Sequence, residues 1–183
     1  GARSFNLKPL SNNLLEDLIA GIVRFHEQIK KRILVIEDNE KELERLAALL
    51  SNEHIEVFRA TTAKKGLALL KKEVIDCIVL DFVLPDTSGL EMLNKINTLK
   101  QPQTTIILHS ARDFTQQELI QLKRLNHKII TKTPSSHAYL LEEIITLLHV
   151  DHKSISQENL DLIGSVRLSQ DVLDAKKVLV VDD

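Results

Sequence analysis

Cysteine is nearly missing from this chain of 183 residues, and the single one, Cys77, cannot close an internal disulfide. That fits a reducing compartment. Cys77 lies inside an apolar run, where a small buried thiol is the expected role. An excess of either charge is missing too. The formal net charge of −2 leaves no basic footprint for nucleic acid and no polybasic stretch for an anionic membrane. Long hydrophobic runs are absent: Cys77-Ile78-Val79-Leu80 is far short of the roughly 20 residues that cross a bilayer. At the front, Arg3, Asn6 and Lys8 interrupt any apolar core of a signal peptide. These absences fit a cytoplasmic setting, whether or not a longer parent chain is anchored in a membrane. The hydrophobic fraction of 43% and charged fraction of 27% match one soluble α/β domain with flanking segments.

What is present is an alternation of short apolar runs with amphipathic stretches. Ile33-Leu34-Val35-Ile36 is a β-branched run that stops at Glu37-Asp38, and Asn39 then stands as an N-cap before Leu43, Leu46, Ala47 and Leu50. A weaker strand begins at Ile55, and Thr61 or Thr62 opens a helix carrying Leu67, Leu69 and Leu70. The third strand is the Cys77 run, ended by Asp81. After the Pro85-Asp86-Thr87-Ser88-Gly89 turn, Leu90, Met92, Leu93 and Ile96 mark a third helix. A fourth strand from Thr105 to Leu108, a helix from Thr115, a fifth strand over 128–131 and a helix from His137 to about Leu148 complete the series. Five strands alternating with five helices predict an α/β doubly wound parallel sheet, flavodoxin-like, in the order 2-1-3-4-5.

The ends do not belong to that domain. Lys177-Val178-Leu179-Val180-Val181-Asp182-Asp183 repeats Arg32-Ile33-Leu34-Val35-Ile36-Glu37-Asp38. Near the start, Phe5-Asn6-Leu7-Lys8-Pro9 followed by Leu14, Leu15, Leu18, Ile19 and Ile22 echoes the segment from Ile129 to Leu148. The expected organisation is the tail of one unit over 1–30, adding an N-terminal helix, a whole unit over 31–150, a polar linker over 151–176, and the first strand of a third unit over 177–183. The N-terminal helix, cut off from its own sheet, is expected to pack on the central domain or on a second copy, giving a homodimer.

Ligands of open α/β sheets bind outside the carboxyl ends of the strands. There the order 2-1-3-4-5 gathers Glu37 and Asp38 from strand one and Asp81 from strand three, with Ser110 and Lys132 beside them. Three carboxylates repel unless a cation sits among them, and Mg²⁺ suits oxygen ligands and bridges to phosphate. The spacing of a Ca²⁺ loop is lacking, and no Cys/His pairs lie beside this site for zinc. With Mg²⁺, a carboxylate can take a phosphoryl group as an aspartyl phosphate. Lys132 and Ser110 can then serve two of its equatorial oxygens.

Glu37-Asp38, the run Asp81-Phe82-Val83-Leu84-Pro85-Asp86-Thr87-Ser88-Gly89, Ser110-Ala111 and Lys132 resemble the receiver domain of two-component response regulators. The steps of 43, 29 and 22 residues from Asp38 through Asp81 and Ser110 to Lys132 agree. The resemblance implies that Asp81 accepts a phosphoryl group from a phosphohistidine of a histidine kinase or phosphotransfer domain. Any catalysis by the fragment is limited to its own phosphorylation and dephosphorylation. It also implies that Asp38, Asp81 and the carbonyl of Val83 hold Mg²⁺, with Glu37 acting mostly through water, and that Ser110 swings toward the phosphate. Receiver units in tandem resemble the multi-receiver region of a hybrid sensor histidine kinase, in which neighbouring receivers would be partners. Two positions depart from the pattern: Thr133 intervenes between Lys132 and Pro134, and Ile130 stands where an aromatic is usual. These motivate one competing reading, a pseudo-receiver that acts only as an interaction module. His109 is expected to be a packing residue rather than an acid or base. Phe114 is expected either as a helix-start staple or as an exposed partner contact. His26 is expected on an exposed helix position.

Overall fold

The computed structural model describes residues 16, 30–99, 104–124, 127–151 and 154–174. The chain divides into two compact units, 1–30 and 31–183, and the elements below belong to the second. They are β1 (Lys31–Ile36), α1 (Glu40–Leu50), β2 (Ile55–Ala60), α2 (Ala63–Leu70), β3 (Cys77–Leu80), α3 (Gly89–Thr98), β4 (Thr105–Ser110), α4 (Gln116–Arg124), β5 (Lys128–Thr131), α5 (Ser136–Leu148) and α6 (Gln157–Asp174). The sequence expectations for the N-terminal helix, its packing and dimer, His26 and the strand over 177–183 lie outside the described residues.

All five strands pair in parallel in the order β2-β1-β3-β4-β5. Because alternate side chains point to opposite faces, each apolar run feeds two cores at once. Ile33, Val35, Cys77, Val79, Ile107 and Ile130 meet Leu43, Leu46 and Leu50 of α1 and Leu140, Leu141, Ile144 and Ile145 of α5. Leu34, Ile36, Ile78, Leu80, Ile106 and Leu108 meet α2, α3 and Leu122 of α4. Cys77 is buried in the first of these cores, and burial pushes its thiol up to about 12.

The helix starts follow local chemistry. Asn39 accepts from the amides of Lys41 and Glu42, Thr62 from that of Lys65, and Ser88 from that of Glu91. Thr115 and Glu118 cap each other, hydroxyl to amide at 3.3 Å and carboxylate to amide at 2.9 Å. Asp86 adds a cap from a distance, accepting from the amides of Ala63 and Lys64 at 2.9 Å each. Thr62, rather than Thr61, is therefore the cap of α2. On that helix Ala63, Gly66 and Leu70 are the buried residues, with Leu67 and Leu69 packed at the margin. Likewise Leu90 of α3 is only partly buried, because Gly89 takes the inward position next to Phe82.

The span expected as a linker, 151–176, carries α6. Ile155, Ile163 and Val166 are buried, and the first two join the core shared with α1 and α5. Asn159 donates to the carbonyl of Leu49 at 3.2 Å, and Arg167 pairs with Glu142 at 2.7 Å. Among the described side chains, Ile163 of α6, with Leu160 at the margin and Ile155 just before the helix, is thus laid on the α1 and α5 side of the sheet, while Leu162 is exposed.

A Cβ on Gly89 would stand 2.3 Å and 2.6 Å from Phe82 ring atoms, so the ring that follows Asp81 would have to move. Gly89→Ala is expected to destabilise the domain by roughly 1–3 kcal/mol despite the better helix former. Denaturant unfolding of the two proteins measures it, and equal midpoints would show that Phe82 yields freely.

Candidate functional site

The carboxyl ends of β1, β3, β4 and β5 form one rim, and backbone bonds carry the strand ladder one residue past the ends of β1, β3 and β5. The Glu37 amide donates to the Ala60 carbonyl at 3.0 Å, Asp81 to Ile36 at 2.8 Å, and Lys132 to Ser110 at 2.8 Å. Glu37, Asp81 and Lys132 are therefore launched from fixed backbone. Glu37 and Asp81 are buried, Ser110 wholly so, while Asp38 faces solvent.

Three of the six sequence-derived residues meet directly through their side chains. The Lys132 ammonium donates to Glu37 Oε2 at 2.7 Å and to Asp81 Oδ2 at 2.6 Å, across 95 and 51 residues of sequence. Burial pushes the Glu37 carboxyl up from its ordinary value, against the opposing pull of the Lys132 hydrogen bond and charge. Burial alone would push the Lys132 ammonium down. Its hydrogen bonds to Asp81 and Glu37 win, and hold it above the usual lysine range. Asp81 Oδ1 accepts from the Val83 amide at 3.0 Å, which fixes the carboxylate on its other side. Val83 itself is exposed, on a loop closed by an antiparallel bridge to Ser88. The Ser110 hydroxyl accepts a long bond, 3.4 Å, from the Arg112 amide in its own loop.

One oxygen from each of Glu37, Asp38 and Asp81 lies within 4.8 Å of the others. Two oxygens on opposite sides of Mg²⁺ stand roughly 4.2 Å apart, so this all-oxygen set fits that ion after a small closure. No Cys or His joins the set.

Sequence reasoning missed what surrounds the site. The Arg112 guanidinium lies 4.9 Å from the Phe82 ring centre and 5.5 Å from that of Phe114, and pairs with Glu118. The two rings pack edge to face at 4.8 Å, so Phe114 is a packing residue at the start of α4. A cleft of about 570 Å³ runs past them, lined by Val83, Leu84, Arg112 and Glu118 among others. On the opposite side His109 shares a 3.0 Å hydrogen bond with Ser136, and His137 meets Glu42 at 2.6 Å. Partners 27 and 95 residues apart leave no local signal in a sequence. Ile130, at the position where the resemblance has an aromatic, fills the core shared with α1 and α5.

Burial first, and the Lys132 ammonium second, push the His109 imidazole down to about 4. An unfolded chain takes up that proton near pH 6.5, so His109 contributes stability above pH 6.5 that is lost as the pH falls toward 4. Between pH 7 and pH 5 the wild type is expected to lose roughly 2 kcal/mol more unfolding free energy than His109→Gln. Urea titrations at both pH values measure this, and equal losses would mean that the buried imidazole charges without cost.

Known proteins place this geometry. The family model of the response regulator receiver domain matches residues 33–144. The transcriptional regulatory protein DltR of Streptococcus agalactiae is 30% identical over 140 residues, covering 76% of this chain and 61% of that protein. The regulatory protein VanR of Enterococcus faecium is 38% identical over 65 residues, covering 36% of this chain and 28% of that protein. This chain thus spans less than two thirds of either relative. The CheY-like receiver domain protein of Methanospirillum hungatei superposes with a TM-score of 0.59 at 28% identity, over 66% of this chain and 94% of that one. With the five-stranded order, the acidic rim and the family match in agreement, the chain belongs to the response regulator receiver domain family, the phosphoacceptor modules of two-component signalling.

Proposed function

We propose that Asp81 is the phosphoacceptor, taking a phosphoryl group from a phosphohistidine of a histidine kinase or phosphotransfer domain. The observation that carries this is the Lys132 ammonium, 2.6 Å from Asp81 and 2.7 Å from Glu37. A lysine held there offsets two buried carboxylates before transfer and can turn to an equatorial phosphoryl oxygen during it. The Asp81 oxygen attacks phosphorus as the bond to the donor imidazole breaks. The Ser110 hydroxyl, bound only at 3.4 Å to the Arg112 amide, is placed to turn and donate to a second oxygen. Asp38, Asp81 and the Val83 carbonyl would hold Mg²⁺, with Glu37 acting through water. Bound there, the ion would neutralise charge on the third oxygen. The pseudo-receiver reading gains no support, since acceptor, acidic residues and lysine all converge.

The wider organisation follows the sequence repeat. The chain is read as part of a multi-receiver region of a hybrid sensor histidine kinase, working in the cytoplasm, with receiver-like segments at 1–30 and 177–183 beside the central domain. Among the described residues no helix is long and apolar enough to cross a membrane. The α6 helix would set the distance to the following unit.

Intact mass after incubation with Mg²⁺ and acetyl phosphate tests the acceptor. Wild type is expected to gain one phosphoryl group and Asp81→Asn none. Lys132→Met is expected to gain it roughly a hundredfold more slowly, the cost of losing one preorganised donor. An unmodified wild type, or modification that persists in Asp81→Asn, would refute the assignment.

A further inference from the structure

Lys132 acts only if its ammonium reaches the acid pair, and although the strand ladder fixes its amide, the turn that follows it is weakly held. Thr133, Pro134 and Ser135 are all exposed, and Thr133 is the residue by which this chain exceeds the family pattern. Nor does the following helix secure its own start, since Ser135 at the cap position makes no side-chain bond to the backbone of α5. The start of α5 is instead tied to other elements. Ser136 Oγ bonds His109 Nε2 of β4 at 3.0 Å, with both residues buried. His137 bonds Glu42 of α1 at 2.6 Å. The Ser136 amide bonds back to the Thr133 carbonyl at 3.0 Å, so anchoring Ser136 also anchors the turn behind Lys132. At the other end of that turn the Lys132 amide is fixed to Ser110, the neighbour of His109 on β4. The loop is thereby spanned between two adjacent residues of a single strand. The other ring nitrogen of His109 has no hydrogen-bond partner among the described residues, so Ser136 is its polar contact there.

We propose that His109 is a positioning residue for phosphoryl transfer: by gripping Ser136 it fixes the lengthened loop behind Lys132 and so the aim of its ammonium at Asp81. Its role is mechanical. It holds the exit of the loop against β4 while the strand ladder holds the entrance, and it offsets the slack that Thr133 introduces. A displacement near 1 Å at a reacting group can cost on the order of a hundredfold in rate, so a partly loosened loop shows clearly in kinetics.

The inference rests on Lys132 serving transfer to Asp81, and the test separates the two. Ser136→Ala, His109→Leu, their double variant and His109→Gln are compared with wild type. Phosphorylation is timed at saturating acetyl phosphate, Mg²⁺ affinity is read by calorimetry, and amide exchange is followed over 132–138 by mass spectrometry. Ser136→Ala and His109→Leu are each expected to slow phosphorylation roughly tenfold and to speed exchange over 132–138 by a similar factor. The double variant is expected to lose no more than either single. Mg²⁺ affinity should stay within about twofold, since the ion's ligands are elsewhere. His109→Gln, whose amide nitrogen can reach the same hydroxyl, is expected to restore most of the rate. Should His109→Leu fail to fold, Ser136→Ala, which removes one hydroxyl, still decides. Wild-type rate and exchange in Ser136→Ala would overturn the proposal. Additive losses in the double variant, or rate losses matched by weaker Mg²⁺ binding, would do the same. If wild type gains no phosphoryl group, the acceptor reading fails, and exchange over 132–138 still decides what His109 holds.

Discussion

Two carboxylates buried at the ends of neighbouring strands repel each other, and the Lys132 ammonium is what lets both stay in place. The lysine is itself largely buried, with a fifth of its side chain exposed, and so are Glu37 and Asp81. A charge taken out of water needs partners at hydrogen-bond distance, and each member of this triad supplies them to the others. The cluster nevertheless keeps a net negative charge, to which the exposed Asp38 adds. That residual charge suits a divalent cation and leaves the lysine free to exchange one oxygen partner for another.

The rest of the domain serves to hold those few atoms. Parallel strands place their carboxyl ends on one edge, and the double-sided core fixes the strands so that the ends cannot drift. Both faces draw on the same short apolar runs, which leaves few ways to shift one strand without exposing a core residue on one side or the other. The loops at the rim are where the chain has latitude. Val83 is exposed, Arg112 is held by stacking and an ion pair, and the segment after Lys132 is longer than the family pattern. Compensation for that length comes from a buried histidine on the adjacent strand.

Helix α6 adds a layer to the side of the sheet covered by α1 and α5. Ile163 and, at the margin, Leu160 pack on that face, and Arg167 pairs with Glu142 of α5. The stretch is polar enough to read as a linker because only one stripe of it is buried. A hydrophobic stripe on a polar helix has meaning only once its covering surface is known.

Strand number, strand order and the acidic rim were legible in the sequence. Runs such as Ile33-Leu34-Val35-Ile36 have a single low-energy use, buried on both faces of a parallel sheet, and polar residues that end such runs must gather at one edge. The cap at Asn39 was legible for a similar reason, since a side chain and the amides two or three residues ahead of it are always close in sequence. Tertiary structure alone decided which side chains touch. The bond between His109 and Ser136, the pair formed by His137 and Glu42, the Arg112 stack and the choice of Gly89 over Leu90 as an inward residue all join segments that only folding brings together. A strand's apolar period reports which face a residue takes, but a hydrogen bond between elements depends on ångström-scale placement, which the whole packed core determines.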